Sequence, residues 1–274
     1  MSKIFESHAH YEDEAFNEDR EALLASLPEN GIEYVVNVGS TVETCKKTVD
    51  LVKKYDFIYG ALGIHPSEIR GVTDADLEWI EKEAAENSKI SAIGEIGLDY
   101  YWDKDNKEEQ KSFFERQINI AKRLGKSIIV HSRDAAKDTY ECMRDFGAAK
   151  CGGVVHCFSY PVEEAAKYLD MGFYIGLGGV VTFKNAAKVK EVAAYVPIER
   201  LLLETDCPYM APEPNRGRRN SSLYIPHIAK AIADIKKMDY DEVVAITNNN
   251  ARQMYGICAS DERDCSYEDL GGRI

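Results

Sequence analysis

The sequence predicts an α/β protein built as a (β/α)8 TIM barrel, and three observations carry that expectation. Eight short runs rich in Val, Ile and Gly recur along the 274 residues, with helical patterns between them. No linker-like change of composition interrupts this rhythm before residue 257. Five of the six histidines fall at the C-terminal ends of those runs, the face on which such barrels build their sites. Strands alternating with helices imply a parallel sheet covered by helices, and eight units in about 250 residues match a closed barrel. A doubly wound open sheet is the alternative, but no G-x-G-x-x-G follows the first strand to support a dinucleotide-binding version.

The strand candidates are 3–10, 32–39, 57–65, 90–99, 127–134, 152–159, 173–181 and 200–208. Among the helix candidates, 17–31 puts Leu23, Leu24 and Leu27 on one face and ends at a glycine. The stretches 41–55 and 107–125 behave alike, the second stopping at Gly125 as a C-cap should. Patterns over 134–147, 161–172 and 185–197 continue the series, and 223–238 and 239–256 close it. No helical pattern is assigned over 66–89. One domain is expected over 1–257, followed by a polar, acidic tail over 258–274 that is expected to be poorly ordered.

Composition excludes several classes. No apolar run approaches the ~20 residues that span a bilayer, and the first residues lack the apolar stretch of a signal peptide. A soluble, cytoplasmic protein with no membrane partner is expected. The seven cysteines form no CxxC pair and read as reduced thiols. Cys151 and Cys157 flank His156, but the second half of a zinc finger is missing. A formal charge of −13 argues against bulk attraction to nucleic acid, although a bound metal and a local cation cluster can reverse the field inside a cleft.

The histidines point to a metal centre. His8 and His10 end the first strand, His65 the third, His131 the fifth and His156 the sixth, while His227 lies on a helix. Residues i and i+2 of a strand point to one side, so His8 and His10 can hold one ion together. Carboxylates stand at two further strand ends, Glu95 and Asp206. Acids that close apolar strands need compensation, and metal coordination supplies it.

These residues resemble the TatD family of metal-dependent hydrolases, within the amidohydrolase-like barrels. The matching pieces are "ESHAH" (6–10), "GIHP" (63–66), "AIGEIGLD" (92–99), "VHSRDA" (130–135), "VVHCFS" (154–159), "LLLETDCPY" (201–209), "RGRRNSS" (216–222) and "NNNARQMYGI" (248–257). They run in order along the whole chain except the tail. The resemblance implies one or two divalent cations per chain (Mg, Mn or Zn), with His8, His10, Glu95, His131, His156 and Asp206 as metal residues and Glu95 as the bridge. It also implies a metal-dependent deoxyribonuclease, with 3′→5′ exonuclease behaviour in several members. Two segments depart from the family pattern. Glu6 stands where Asp is usual, and Ser221 and Ser222 follow Asn220 where Glu-Pro is common.

A cation of this kind lowers the pKa of bound water from ~16 towards ~7, which supplies hydroxide to attack phosphorus. Asp206 and Glu95 are then the expected catalytic carboxylates, Asp206 accepting the proton. Phosphate and DNA contacts are expected from His65, from Arg133, from Arg216, Arg218 and Arg219 on the loop after the last strand, and from Tyr101 and Trp102, which can stack on bases. The expected substrate is DNA, single-stranded or at strand ends. A monomer is the expected state, and the sequence names no protein partner. Two other readings remain open: a metal-dependent ester or amide hydrolase such as a D-aminoacyl-tRNA deacylase, and a non-catalytic metal-binding scaffold.

Overall fold

β-Branched, glycine-punctuated runs too short for helices pair here in strict chain order. A computed structural model describes residues 2–257, so the tail expected over 258–274 lies outside the described residues. The strands are β1 (Ile4–Ala9), β2 (Ile32–Val38), β3 (Ile58–Leu62), β4 (Ile90–Asp99), β5 (Ser127–Arg133), β6 (Gly153–Val155), β7 (Tyr174–Leu177) and β8 (Leu201–Leu203). All neighbours are parallel, in the order β1 to β8. A parallel bridge between Ala9 and Cys207 closes the circle, with His10 N donating to Cys207 O at 2.9 Å and Asp206 N to His8 O at 3.0 Å. This is the expected (β/α)8 barrel.

The helices α1 (Arg20–Ser26), α2 (Val42–Lys54), α3 (Asp74–Glu86), α4 (Lys107–Leu124), α5 (Ala136–Asp145), α6 (Val162–Asp170), α7 (Ala187–Tyr195), α8 (Ile225–Lys236) and α9 (Tyr240–Tyr255) cover the sheet. Helix α3 occupies the stretch to which the sequence assigned none. Its Thr73–Asp76 capping box and its buried Leu77, Ile80 and Ala84 fix it, but a narrow apolar stripe in an acidic segment gives a weak periodic signal. The last three strands are shorter than their sequence runs. Beyond Val155 and Leu203 the chain turns into the loops that carry His156 and Asp206, and residues 179–182 form a 3-10 turn.

One cluster fills the lumen: Phe5, Val36, Val38, Ala61, Ala92, Ile129, Val154 and Leu202 from the strands, with Ala251, Met254, Tyr255 and Ile257 closing the lower end. The Phe5 and Tyr255 rings stack at 5.8 Å, and the Tyr255 hydroxyl donates to Ser7 O at 2.7 Å. Alternation from these lumen residues predicts what points inward above them. Ile129 to His131, Val154 to His156 and Leu202 to Asp206 are even steps. Phe5 to His8 and Ala92 to Glu95 are odd steps, which regular strands would turn outward. In both strands a register shift intervenes, between Glu6 and Ala9 in β1 and between Ile93 and Ile96 in β4. These bulges re-aim His8 and Glu95 into the barrel.

The β4–β5 approach depends on Gly97, whose φ is +146° and whose added Cβ would stand 1.9 Å from His131 O. We expect Gly97→Ala to cost more than ~4 kcal/mol in denaturant unfolding, beyond the ordinary range of point substitutions. Gly71→Ala, at φ +80° in open space, should cost only about 1–2 kcal/mol.

Candidate metal centre

Above the lumen cluster the six predicted metal residues converge. His8 Nε2 lies 3.1 Å from His10 Nε2, 3.6 Å from Glu95 Oε2 and 3.7 Å from Asp206 Oδ1. His10 Nε2 is 3.8 Å from Glu95 Oε2 and 3.3 Å from Asp206 Oδ1. The other oxygen, Glu95 Oε1, faces His131 Nδ1 at 2.8 Å and His156 Nε2 at 2.6 Å, and those two nitrogens are 3.3 Å apart. Ligand atoms ~2.0–2.2 Å from one ion stand roughly 2.8–3.6 Å from one another. Both groups are close to that spacing, and the two oxygens of one carboxylate face one group each.

Hydrogen bonds select which nitrogens are free to bind. Val38 O accepts from His10 Nδ1 at 2.7 Å, which leaves the Nε2 lone pair facing Glu95. Asp99 Oδ2 accepts from His131 Nε2 at 3.0 Å, which leaves Nδ1 facing Glu95. Such fixed tautomers, with imidazole and carboxylate donors together, suit a divalent cation of the Zn, Mn or Mg kind. Burial pushes His8 down to about 4. Burial also opposes the Glu95 carboxylate, but His156, His65 and His131 outweigh it and hold Glu95 well below the usual range. Asp206 is likewise kept ionised against burial by His10 and His8. Asp206 and Cys157 adopt left-handed backbone (φ 55° and 46°), strain of the sort that gathers at functional sites.

His65 joins this cluster by a different chemistry. Ser67 N donates to its Nδ1 at 3.1 Å, so the proton sits on Nε2, 3.7 Å from Glu95 Oε1. Burial pushes this ring down to about 3 and keeps it neutral. It is therefore a fixed N–H donor beside Glu95.

The predicted cations divide. Arg133 lies over the Tyr101 and Trp102 rings, and Arg216 lies over Phe183. Arg218 is exposed, with no ion pair among the described residues. Arg219 is committed elsewhere, pairing through two nitrogens with Asp19 at 2.7 and 2.6 Å and donating to Ala15 O. That fork braces the loop after β8 against the 3-10 turn at 14–16.

Two acids escaped the sequence reading. Asp99 closes β4 and was recognisable as a third strand-end acid. Glu204 is fully buried, 4.0 Å from His156 Nδ1, and burial pushes its carboxyl up to about 8. Its Oε2, His8 Nδ1 and His156 Nδ1 are buried without partners among the described residues, and these three side chains also cluster closely. Only the absence of a side chain at Gly176 makes room for it, since a Cβ there would lie 2.4 Å from Glu204 Oε2.

Glu6 turns away from the imidazoles. It accepts from Thr205 N at 2.9 Å, Thr205 Oγ1 at 2.7 Å and Ser222 Oγ at 2.9 Å, tying β1 to the chain after β8. The two departures from the family pattern thus touch each other. The longer Glu6 side chain reaches a hydroxyl that a proline at 222 could not offer.

A family model described as TatD related DNase matches residues 5–256. The metal-dependent hydrolase YabD of Bacillus subtilis is 42% identical over 93% of this chain and 99% of its own. The metal-dependent hydrolase YcfH of Escherichia coli is 36% identical, over 94% and 97%. The crystal structure of the TatD homologue YjjV from E. coli superimposes with a TM-score of 0.88 at 28% identity, covering 93% and 98%.

Two expectations follow for the site. Elemental analysis and calorimetric titration with Mn²⁺ or Zn²⁺ should show His10→Ala and His131→Ala each removing part of the binding, and Glu95→Ala removing most of it. The Glu6–Ser222 contact should appear in a double-mutant cycle: Glu6→Asp and Ser222→Pro each destabilise, and together they cost about 0.5–3 kcal/mol less than their sum.

Proposed function

The chain belongs to the TatD family of metal-dependent hydrolases, and from that premise we propose that it is a deoxyribonuclease cleaving phosphodiester bonds of DNA. The observation that carries this reading is Glu95, whose two oxygens face two separate imidazole groups and so fit two adjacent cations. His8, His10 and Asp206 would hold one cation and His131 and His156 a second, with Glu95 standing between the two groups. When bound, such cations supply Lewis acidity and make water acidic enough to ionise near neutral pH.

The chain's own residues do the rest. Asp206 takes up the proton of the attacking water at its carboxylate, which the neighbouring imidazoles keep ionised. His65 donates from Nε2 to a non-bridging phosphate oxygen, a neutral donor whose orientation Ser67 has already fixed. Arg216 and Arg218, on the loop after β8, supply positive charge at the mouth of a chain whose formal charge is −13. Arg219 is reserved for holding that loop. Attack at strand ends with 3′→5′ polarity is the form of the reaction that the family resemblance favours. Among the described residues no helix is long and apolar enough to cross a membrane.

A short single-stranded oligodeoxynucleotide and a D-aminoacyl ester, each offered with Mg²⁺, Mn²⁺ and Zn²⁺, separate the readings. Phosphodiester cleavage is expected, and its absence with every metal would sink the proposal, while ester turnover alone would install the deacylase in its place. Asp206→Asn should lower kcat by roughly 10²–10⁴. His65→Ala should lower it by roughly 10²–10³, the usual loss for one donor aimed at developing charge.

A further inference from the structure

The turn after β4 carries two exposed aromatic rings that the barrel does not need for packing. Trp102 is 68% exposed and Tyr101 47%, and their rings meet edge to face at 4.8 Å. The Arg133 guanidinium lies 4.0 Å from the Tyr101 centroid and 5.5 Å from that of Trp102, with no ion pair among the described residues. An isolated exposed aromatic needs no explanation, but two beside an unpaired guanidinium form a surface with a chemistry of its own.

This surface is built, and it is wired to the metal centre. Asp99 Oδ1 accepts from the backbone N–H groups of Tyr101 and Trp102 at 2.8 and 2.9 Å. Its other oxygen holds His131 Nε2 at 3.0 Å. Gln110, fully buried, clamps the same turn by donating to Asp99 O and Asp103 O, both at 3.0 Å, while its side-chain oxygen accepts from Asp99 N. One carboxylate therefore sets the position of the rings relative to the imidazole facing Glu95.

We propose that Trp102, Tyr101 and Arg133 form a stacking subsite for an unpaired nucleobase next to the scissile phosphodiester, held in register with the metal centre by Asp99. The inference rests on the deoxyribonuclease reading and adds to it. A flat, polarisable ligand with a neighbouring negative charge is what two π-faces and one guanidinium select. A paired base would present no free face, so the subsite favours single strands.

Two measurements on the full chain test this. With chelator present, oligothymidylate is expected to quench tryptophan fluorescence in the wild type but not in Trp102→Phe, whose remaining tryptophan, Trp79, sits in α3. With metal present, Trp102→Ala should raise KM for oligothymidylate by roughly 5- to 150-fold, the equivalent of ~1–3 kcal/mol per stacked base. Its kinetics on an abasic oligodeoxynucleotide of the same length, which keeps the phosphodiesters but carries no ring to stack, should stay within about twofold, and Trp102→Phe should restore KM for the oligonucleotide. An unchanged oligonucleotide KM in Trp102→Ala, an equal loss on both substrates, or quenching that persists in Trp102→Phe would overturn the subsite. A wild type that cleaves neither substrate overturns the deoxyribonuclease reading instead, and the quenching titration then still decides whether the surface binds bases.

Discussion

Glu95 is a carboxylate with 4% of its surface exposed, and an uncompensated charge at that depth would cost several kcal/mol. Compensation comes from every side of the barrel mouth: His8 and His10 face one oxygen, His131, His156 and His65 the other. Each of these rings needs its own anchor if the cluster is to hold its geometry. Val38 O, Asp99 and the Ser67 N–H supply three of them. The site is thus a nested set of constraints in which backbone groups and a second tier of acids orient the imidazoles around one buried charge.

That arrangement requires departures from regular strand geometry. A barrel whose lumen is filled by Phe5 and Ala92 cannot also turn His8 and Glu95 inward without an extra residue in each strand. The register shifts in β1 and β4 supply it. Glu6 then closes the seam next to the first shift, bonding across to Thr205 and Ser222 so that Asp206 arrives opposite His10.

Charge around the mouth follows the same division between structure and substrate. A chain of formal charge −13 does not draw polyanions by its overall field, so attraction has to be local. Its guanidiniums are not equivalent in this respect. Arg219 is consumed by Asp19, while Arg133 and Arg216 lie over aromatic rings with no ion pair among the described residues. The same residue type on one loop can brace the fold or greet a ligand, and only its partners tell which.

The sequence by itself determined the eight-fold alternation, the C-terminal face as the place of the site, and the identities of the converging histidines and acids. Short β-branched runs, glycine caps and period-two spacing are local signals, and they survive folding. Helix α3 eluded the pattern because its buried stripe of Leu77, Ile80 and Ala84 is narrow and set among acids. The tertiary structure alone decided which nitrogen of each ring is free, that Arg219 is already paired, and that Asp99 and Glu204 stand behind the imidazoles. It alone turned His8 and Glu95 inward, because a register shift depends on neighbouring strands that are distant in the chain. Side-chain types are written in the sequence; their direction and their partners are set by packing against residues that no local pattern brings together.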